Sequence, residues 1–364
     1  MEGEDANWAE RDAAERNLVS AFLHDARMPV AVPMSSGSIR LWRFNGTEPE
    51  QILLETPEGG SSPTIALSPD GHHLAAATGF NYARLWTVRH GAPHSVILPG
   101  QSQQHLSAMA FSPDSRSLAT AWWDGSIRFW TLGGAQPAPR DLRWTGLGVI
   151  MMAFSPDGTR LLATSHDGTT RIWRTGNLDA EPISLDHVLT RQARFSADGR
   201  RVITMSESGE ARIWKLGDRT SVLLERPDSQ VRFPASRTIR DAAFSPDGQR
   251  VAIVYGDRTI GVWAIDGNNA TLLELTASNV PVALTSEFLL QPEPTQVAFS
   301  DDGYNVVVRF NDGTVRAWYL PSGTALRQLA QAEITRCLTD AQSEIVGLPL
   351  RGVTRRDSVT APPC

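Results

Sequence analysis

Short apolar runs, each ended by a tight turn, follow one another along most of the chain. The run from Ala108 to Phe111 ends at Pro113-Asp114, and the aliphatic run from Leu118 to Ala121 follows directly. Runs of this length, rich in aliphatic and β-branched residues and bounded by proline, aspartate and glycine, are typical of short strands that are buried on both faces. The pattern therefore predicts antiparallel strands joined by tight turns.

This pattern repeats in register with a tryptophan. Seven tryptophans end successive units at intervals of 41 to 55 residues, namely Trp42, Trp86, Trp130, Trp173, Trp214, Trp263 and Trp318. In the last six units a serine that opens a turn lies 18 residues before the tryptophan, namely Ser68, Ser112, Ser155, Ser196, Ser245 and Ser300. In five units a second turn carries a glycine five residues before the tryptophan, namely Gly37, Gly125, Gly168, Gly209 and Gly313. The first unit lacks the serine turn, and we interpret it as a degenerate copy.

Each unit predicts three strands, and a fourth, weaker apolar run follows the tryptophan in six of the seven units. A four-stranded sheet of this kind cannot cover both of its faces alone, so stability requires copies that stack radially. The sequence therefore predicts an all-β fold, a seven-bladed β-propeller in which every one of the seven tryptophans is largely buried.

These units resemble the WD40 repeat family, which shares the Ser-Pro-Asp-Gly turn, the Asp-Gly turn and the strand-ending tryptophan. The resemblance covers residues 18 to 323 and implies a seven-bladed WD40-like propeller. Two family features are absent: the aspartate after the tryptophan, and the Gly-His dipeptide ahead of the first strand. The family's buried Asp-His-Ser-Trp hydrogen-bond set is therefore expected to be incomplete, with His105 and His187 as the only histidines near the right place.

The two ends of the chain differ from the repeats. Residues 1 to 17 form a charged N-terminal segment, and residues 324 to 350 show apolar residues at helical spacing, which predicts a short helical C-terminal tail. We expect this tail to cover the edge of a three-stranded seventh blade. It resembles the tail that follows WD40 propellers in some bacterial multidomain signalling proteins. Residues 351 to 364 are expected to be disordered.

Composition narrows the function classes. The 34 basic and 40 acidic side chains leave a formal charge of -6, which disfavours nucleic acid and anionic membranes as partners. Cys337 and Cys364 are the only cysteines, which excludes a disulfide framework and a multi-cysteine zinc site. No stretch approaches the ~20 apolar residues of a membrane span. We expect a monomeric cytoplasmic protein, and the single lysine, Lys215, indicates a GC-rich bacterial genome.

Nothing in the sequence predicts catalysis. The eight histidines are scattered, and the nucleophile-elbow, zinc-protease and phosphate-loop motifs are absent. Propeller hydrolases usually use carboxylates and a metal in the central channel, and no unit departs from the repeat in that way. We therefore expect no catalytic residue, no metal and no cofactor.

Arginine stands two residues before the tryptophan in six units, at Arg40, Arg84, Arg128, Arg171, Arg212 and Arg316. These arginines could form a ring that binds anions, or each could lie over its own tryptophan and brace the blades. The second interpretation is favoured because a feature present in nearly every blade serves the blade.

Residues that break the repeat are the better candidates for function, because repeated positions maintain the fold. The turns between the second and third strands carry several bulky side chains, and we predict that these form a protein-binding face: Phe80, Tyr82, Trp123, His166, Arg258 and Phe310. Exposed aromatic and arginine side chains are common anchors of interfaces. The alternative is that some of them, including one residue of Trp122-Trp123 and Phe310, only fill the end of a blade.

The leading hypothesis is a non-catalytic scaffold that mediates protein-protein interaction in bacterial signalling. The alternative is a regulatory propeller that senses a ligand and acts on a separate effector such as a kinase or NTPase. A propeller hydrolase is less favoured.

Overall fold

The computed structural model describes residues 29–34, 38–43, 50–56, 64–77, 81–88, 93–100, 104–134, 136–142, 144, 147–185, 189–224, 238–277 and 292–320. Within these ranges the regular structure is entirely β-strand. The predicted helical tail, the charged N-terminal segment, the C-terminal end, Phe80 and His187 lie outside the described residues.

The strands form seven antiparallel sheets, which we call blades 1 to 7 in chain order. Blade 1 contains β1 (Val30–Pro33), β2 (Ile39–Arg43) and β3 (Glu50–Leu54). Blade 2 contains β4 (Ile65–Leu67), β5 (His73–Ala77), β6 (Tyr82–Thr87) and β7 (His94–Pro99). Blade 3 contains β8 (Leu106–Phe111), β9 (Ser117–Trp122), β10 (Ile127–Thr131) and β11 (Ala138–Leu142). Blade 4 contains β12 (Val149–Phe154), β13 (Arg160–Ser165), β14 (Thr170–Arg174) and β15 (Ile183–Leu185).

The remaining blades follow the same order. Blade 5 contains β16 (Thr190–Phe195), β17 (Arg201–Ser206), β18 (Ala211–Lys215) and β19 (Thr220–Leu224). Blade 6 contains β20 (Ile239–Phe244), β21 (Arg250–Tyr255), β22 (Thr259–Asp266) and β23 (Asn269–Ala277). Blade 7 contains β24 (Pro294–Phe299), β25 (Asn305–Phe310) and β26 (Val315–Tyr319). The chain divides into two compact units between Ala193 and Arg194, inside β16.

The predicted fold class, an all-β seven-bladed propeller, is confirmed, and its register follows the sequence repeat. Each repeat tryptophan pairs with the residue twelve positions before it, as Leu118 does with Trp130 in blade 3 and Val251 does with Trp263 in blade 6. Within the described residues, blades 1 and 7 have three strands and the other five have four. The three-stranded seventh blade stays a prediction, because the residues that would carry a fourth strand or the helix expected to cover its edge lie outside the described residues.

The serine turn is a hydrogen-bonded unit that sets the angle between the first two strands of blades 2 to 7. In blade 3, the hydroxyl of Ser112 donates to Oδ1 of Asp114 at 2.6 Å and accepts the backbone N–H of Ser117 at 2.9 Å. The five other turns repeat both bonds at 2.5–2.6 Å and 2.8–3.0 Å. Serine and aspartate recur at the same spacing in each of these turns, so the positions of these hydrogen bonds follow from the sequence.

Apolar side chains pack between neighbouring blades. In the compact unit that ends at Ala193, Trp173 of blade 4 lies in one buried cluster with Ile127 and Phe129 of blade 3. In the compact unit that begins at Arg194, Trp263 of blade 6 lies in a cluster with Ile203 and Ile213 of blade 5. The tryptophans that are buried as predicted are Trp86, Trp130, Trp173 and Trp263, whereas Trp42, Trp214 and Trp318 are only partly buried.

Among the described residues, two repeat tryptophans donate a hydrogen bond to a threonine of the neighbouring strand. Nε1 of Trp130 donates to the hydroxyl of Thr120 at 2.8 Å, and Trp214 makes the same bond to Thr204 at 2.9 Å. Nε1 of Trp173 has no acceptor among the described residues, because Ala163 occupies the position of the threonine. In blade 4 this tryptophan hydrogen bond is therefore absent among the described residues.

The repeated arginines brace the blades. The guanidinium carbons of Arg84, Arg128 and Arg212 lie 6.0, 5.8 and 5.8 Å from the ring centres of the tryptophans two residues later. Each also contacts the outer strand of its own blade, as Arg128 does through Nε to Oδ1 of Asp141 at 2.7 Å. The bracing interpretation therefore describes these arginines, and the anion-ring interpretation does not.

Candidate functional site

The second turns of the blades place two consecutive residues in opposite environments. The residue eight positions before the repeat tryptophan is buried in blades 3 to 7, and the next residue stands at the tip of the turn. In blade 3 these residues are Trp122, which is fully buried, and Trp123, whose exposed fraction is 51%. The turn closes with a hydrogen bond of 3.0 Å from the backbone N–H of Gly125 to the carbonyl of Trp122. Trp123 is therefore presented to solvent by a fixed turn.

His166 occupies the tip in blade 4 and is also exposed. Its ring stacks on Trp123, with centroids 4.6 Å apart and an interplanar angle of 26°. The backbone of the two turns is joined through Gly148, whose carbonyl accepts the N–H of His166 at 2.9 Å. A Cβ on Gly148 would lie 2.6 Å from the carbonyl oxygen of Trp123, so only glycine allows this approach. The aromatic pair rests on closely packed backbone.

Two exposed leucines continue the aromatic pair. Leu147 precedes β12 with an exposed fraction of 62%, and Leu189 precedes β16 with 47%. Leu189 packs against Gly168 of the blade 4 turn so closely that a Cβ there would lie 2.6 Å from its Cα. We call Trp123, Leu147, His166 and Leu189 together the Trp123 patch. Exposed apolar side chains on neighbouring, closely packed turns are typical of interaction sites.

A carboxylate is fixed within this patch. Burial raises the pKa of Asp167, but hydrogen bonds from the Ser165 hydroxyl, from Thr169 and from the backbone N–H of Leu147 together hold the pKa below its usual value. Asp167 is therefore ionised at neutral pH, and it accepts a hydrogen bond from the backbone of Leu147.

The other residues of the predicted face are placed differently. Tyr82 is partly buried at the start of β6. Phe310 is 2% exposed and lies beneath the guanidinium of Arg316, 4.7 Å from the ring centre. It stands eight residues before Trp318 and is therefore the counterpart of buried Trp122, so it fills the end of blade 7 and is not an exposed anchor.

Arg258 is also buried, although it belongs to a turn. It occupies the position that glycine holds in blades 3, 4, 5 and 7, and its φ of 70° is in the left-handed region. Its guanidinium lies 3.6 Å from Oε1 of Glu293, and Arg240 approaches Oε2 of the same glutamate at 3.3 Å. The charge that the sequence suggested for contact with a partner is thus paired within the chain.

An ion pair that sequence reasoning missed joins the first strands of three blades. Nη2 of Arg194 in β16 lies 2.6 Å from Oδ1 of Asp241 in β20, and Oδ2 of Asp241 accepts the backbone N–H of Val297 in β24 at 2.9 Å. No N–H of the described residues is aligned for a hydrogen bond to Oδ1, so its contact with Arg194 is one of charge. Neither residue of this pair is among the candidates predicted from the sequence.

The signal for this pair is present in the sequence. Two residues before the turn serine, the other units have alanine, at Ala66, Ala110, Ala153, Ala243 and Ala298, where blade 5 has Arg194. Asp241 is likewise the only acidic residue among the six that lie four positions before the turn serine. Burial raises the pKa of Asp241, and the charge of Arg194 and the backbone hydrogen bonds oppose that rise.

The described residues bring together no group of three or more His, Cys, Asp or Glu side chains that could hold a metal ion. In the same part of the chain, no helix is long and apolar enough to cross a membrane.

Comparison with known proteins agrees with the blade pattern. The family model described as WD domain, G-beta repeat, matches residues 94–131, 145–174 and 229–264. The chain contains WD40 repeats at these three positions. Each matched segment ends one residue after a repeat tryptophan, namely Trp130, Trp173 and Trp263. In blades 3 and 4 this is the last residue of the third strand, and in blade 6 it lies two residues before the end of β22.

The fold is similar to that of a solved structure. One chain of the structure titled "Crystal Structure of Mitotic Checkpoint Complex" matches with a TM-score of 0.56 and 14% sequence identity, over 81% of this chain and 88% of that chain. At this identity the likeness concerns the fold alone. No curated protein sequence matches this one. WD40 propellers generally act as non-catalytic scaffolds that bind protein partners.

Proposed function

We propose that this chain is a non-catalytic scaffold that binds another protein through the Trp123 patch. The observation that carries the proposal is the stacked pair of Trp123 and His166, exposed at the tips of neighbouring turns and flanked by two exposed leucines. Tryptophan is among the residues that most often dominate binding energy, and burying it costs little conformational entropy when its backbone is already fixed. Gly148 and Gly168 supply that fixed backbone.

The absence of catalysis is part of the proposal. The unrepeated carboxylate Asp241 contacts Arg194 through one oxygen and accepts the backbone N–H of Val297 through the other. A carboxylate held in this way joins strands and has no oxygen directed at a substrate. This supports a structural role for the group that most resembles a catalytic acid.

We extend the proposal to a monomeric, cytoplasmic protein of bacterial signalling. The support is the single lysine among 34 basic residues and the similarity of residues 324 to 350 to tails of bacterial signalling propellers. Sedimentation of the purified chain tests the monomer, and the identity of captured proteins tests the signalling role.

Capture from a bacterial lysate tests the binding face. The tagged chain should retain a partner, and Trp123→Ala should lose it. Tyr319→Ala is the matched control, because Tyr319 is an exposed aromatic residue that stacks on Tyr304 with centroids 6.5 Å apart, outside the patch. Equal capture by the wild type and by Trp123→Ala would contradict the proposal.

The Arg194–Asp241 pair favours a second candidate, a regulatory propeller that senses a small ligand. Arg194 is 43% exposed at the side chain and could receive an anionic group. A screen of anionic metabolites by thermal shift, with Arg194→Gln as control, tests this candidate. A stabilising compound that no longer acts on Arg194→Gln would support it.

A further inference from the structure

Blade 4 carries two arginines directly opposite each other at one end of its sheet. Strand β13 begins at Arg160, which pairs with Arg174, the last residue of β14. Like charges at directly opposed positions of a sheet destabilise the pair unless a counter-charge is present. Blade 5 has the same arrangement, because Arg201 at the start of β17 lies opposite Lys215 at the end of β18. The two blades can therefore be compared position by position.

Blade 5 supplies a counter-charge from its own turn. Nζ of Lys215 forms an ion pair with Oδ2 of Asp218, three residues later. The turn in blade 4 has the same plan, and in each blade a glycine stands two positions after the basic residue, namely Gly176 and Gly217. Asn177 occupies the position of Asp218. Asparagine has nearly the shape of aspartate and no charge, so the turn of blade 4 does not supply the carboxylate that blade 5 has.

The guanidinium of Arg174 is exposed and makes no hydrogen bond or ion pair with the part of the chain that the structure describes. The carboxamide of Asn177 likewise makes no hydrogen bond there, whereas its backbone N–H donates to the carbonyl of Arg174 at 3.0 Å. Arg160 differs, because its charge acts on a carboxylate. Burial raises the pKa of Asp157, but hydrogen bonds from Ser155 and Thr159 and the charge of Arg160 hold the pKa below its usual value. The unpaired charge is therefore that of Arg174.

These side chains border an open cavity of about 460 Å³, which is lined by Thr159, Arg160, Arg174, Thr175, Gly176 and Asn177. Its turn is held in place. The hydroxyl of Thr175 donates to the carbonyl of Gly158 at 2.8 Å, and Leu178 is buried in one cluster with Trp173. Pockets of this size hold small organic molecules. The cavity lies at the start of β13, whereas His166 follows the end of that strand, so it is separate from the Trp123 patch.

We propose that this cavity binds a phosphate monoester. Such a group carries a charge of about −2 at neutral pH and three acceptor oxygens, whereas a carboxylate supplies half of that charge. The guanidinium of Arg174 pairs with two of the oxygens, the amide of Asn177 donates to the group, and Arg160 adds positive charge from the opposite strand. The ligand takes the place that Asp218 holds in blade 5. This inference goes beyond the proposed function and does not depend on it.

Titration calorimetry with phenyl phosphate tests the inference. At about pH 8 this monoester, with a second pKa of about 6, is fully ionised. The wild-type chain should bind it, and Arg174→Gln should weaken binding about tenfold or more, because a bidentate charged contact is lost. Arg116→Gln is the matched control, since Arg116 is an exposed arginine of blade 3 outside the cavity. No binding by the wild type, or wild-type affinity in Arg174→Gln, overturns the inference.

A second ligand separates the dianion from anions in general. Phenyl sulfate has nearly the same size and a charge of −1, so it should bind about tenfold more weakly than phenyl phosphate. Equal affinities for the two ligands would contradict the preference for a phosphate monoester.

The comparison with blade 5 gives a variant that fills the site from within. Asn177→Asp supplies the missing carboxylate and should abolish binding of phenyl phosphate. Asn177→Ala removes the amide without adding a charge, and it should weaken binding by a smaller factor. Equal affinities of Asn177→Asp and Asn177→Ala would overturn the electrostatic basis of the site.

Two further titrations identify the source of the monoester and the place of binding. Tighter binding of a phosphoserine peptide than of phenyl phosphate indicates a phosphorylated side chain, and weaker binding indicates a free small molecule. Trp123→Ala should bind phenyl phosphate as the wild type does, because the two sites are separate. If Arg194→Gln loses the binding and Arg174→Gln keeps it, the anion is bound beside Asp241 and the inference is wrong.

Discussion

The second turns of blades 3 and 4 and those of blades 6 and 7 have the same backbone plan and opposite surfaces. In blades 3 and 4 the tips carry Trp123 and His166, which are exposed and stacked. In blades 6 and 7 the tips carry Gly256 and Asn311, and the bulky side chains Arg258 and Phe310 are buried within the turns. For an aromatic residue in these turns, a shift of one position therefore decides whether its side chain is buried in the blade, as Phe310 is, or exposed to solvent, as Trp123 is.

The difference teaches that bulk alone does not indicate a binding site in a repeat protein. A large residue eight positions before the repeat tryptophan is part of the core, as Trp122 and Phe310 are, and one position later it is surface, as Trp123 is. We therefore expect substitutions at the first of these positions to lower stability and substitutions at the second to leave stability almost unchanged.

The largest expected effect is the loss of a buried ring. Phe310→Ala and Trp122→Ala should each lower the free energy of unfolding by about 3 to 5 kcal/mol, because each removes a fully packed side chain and leaves a cavity. Trp123→Ala, next to Trp122 in sequence, should lower it by less than about 1 kcal/mol. Urea denaturation of the three variants makes the comparison. Equal decreases in the free energy of unfolding for Trp122→Ala and Trp123→Ala would contradict the assignment of one residue to the core and the other to the surface.

The repeat predicted the blades well because its constraints are local. Serine and aspartate at fixed spacing make the turn bonds, and the tryptophan pairs with a residue twelve positions away, so strand bounds and register follow from the sequence itself. The face was predicted less well because Phe310 was grouped with Trp123 by size, although the register places it with Trp122. Counting back from the tryptophan distinguishes the two.

The ion pair of Arg194 and Asp241 was missed for a different reason. Arg194 and Asp241 are 47 positions apart, and neither is unusual as a residue type. Arg194 stands out only when equivalent positions of the repeats are compared, because the five other repeats with a serine turn have alanine there. Pairing between neighbouring blades depends on packing that no single repeat contains.

The next effect concerns this ion pair. Arg194→Ala should lower the free energy of unfolding by about 3 kcal/mol at neutral pH, because it leaves the buried carboxylate of Asp241 without its counter-charge. Asp241→Asn should cost less, since the remaining guanidinium is partly exposed and can turn to solvent. Thermal or urea unfolding of both variants checks the order. A larger loss for Asp241→Asn would contradict the expectation that the uncompensated carboxylate is the costlier of the two states.

The pH dependence of this effect has a definite sign. Burial raises the pKa of Asp241 in the folded protein above 3.8, the value of the unfolded chain. The protonated side chain therefore stabilises the fold fully below pH 3.8, and this stability is lost as the pH rises through the pKa of the folded protein. The turn aspartates act oppositely: the hydroxyl of Ser112 lowers the pKa of Asp114, whose contribution is lost only as pH falls below 3.8. Asp241→Asn should therefore gain stability relative to the wild type as pH rises above 3.8. A difference independent of pH would show that Asp241 does not titrate between the folded and unfolded states in this way.

The smallest effect tests the turn of blade 6, where Arg258 occupies a left-handed position that suits glycine. Arg258→Ala keeps the backbone strain and loses the contact with Glu293, whereas Arg258→Gly loses the same contact and relieves the strain. Arg258→Ala should therefore be less stable than Arg258→Gly by about 1 kcal/mol.

The equivalent turn of blade 7 provides a control for this last comparison. Gly313 has a φ of 81°, and a Cβ there would meet nothing within 4 Å, so Gly313→Ala adds left-handed strain without a steric clash. It should cost about 1 kcal/mol, which matches the difference between the two Arg258 variants. If Arg258→Ala equals Arg258→Gly in urea unfolding while Gly313→Ala shows the full cost, the backbone at Arg258 relaxes when its side chain is removed. In that case the ion pair with Glu293, rather than the turn sequence, holds Arg258 in its left-handed conformation.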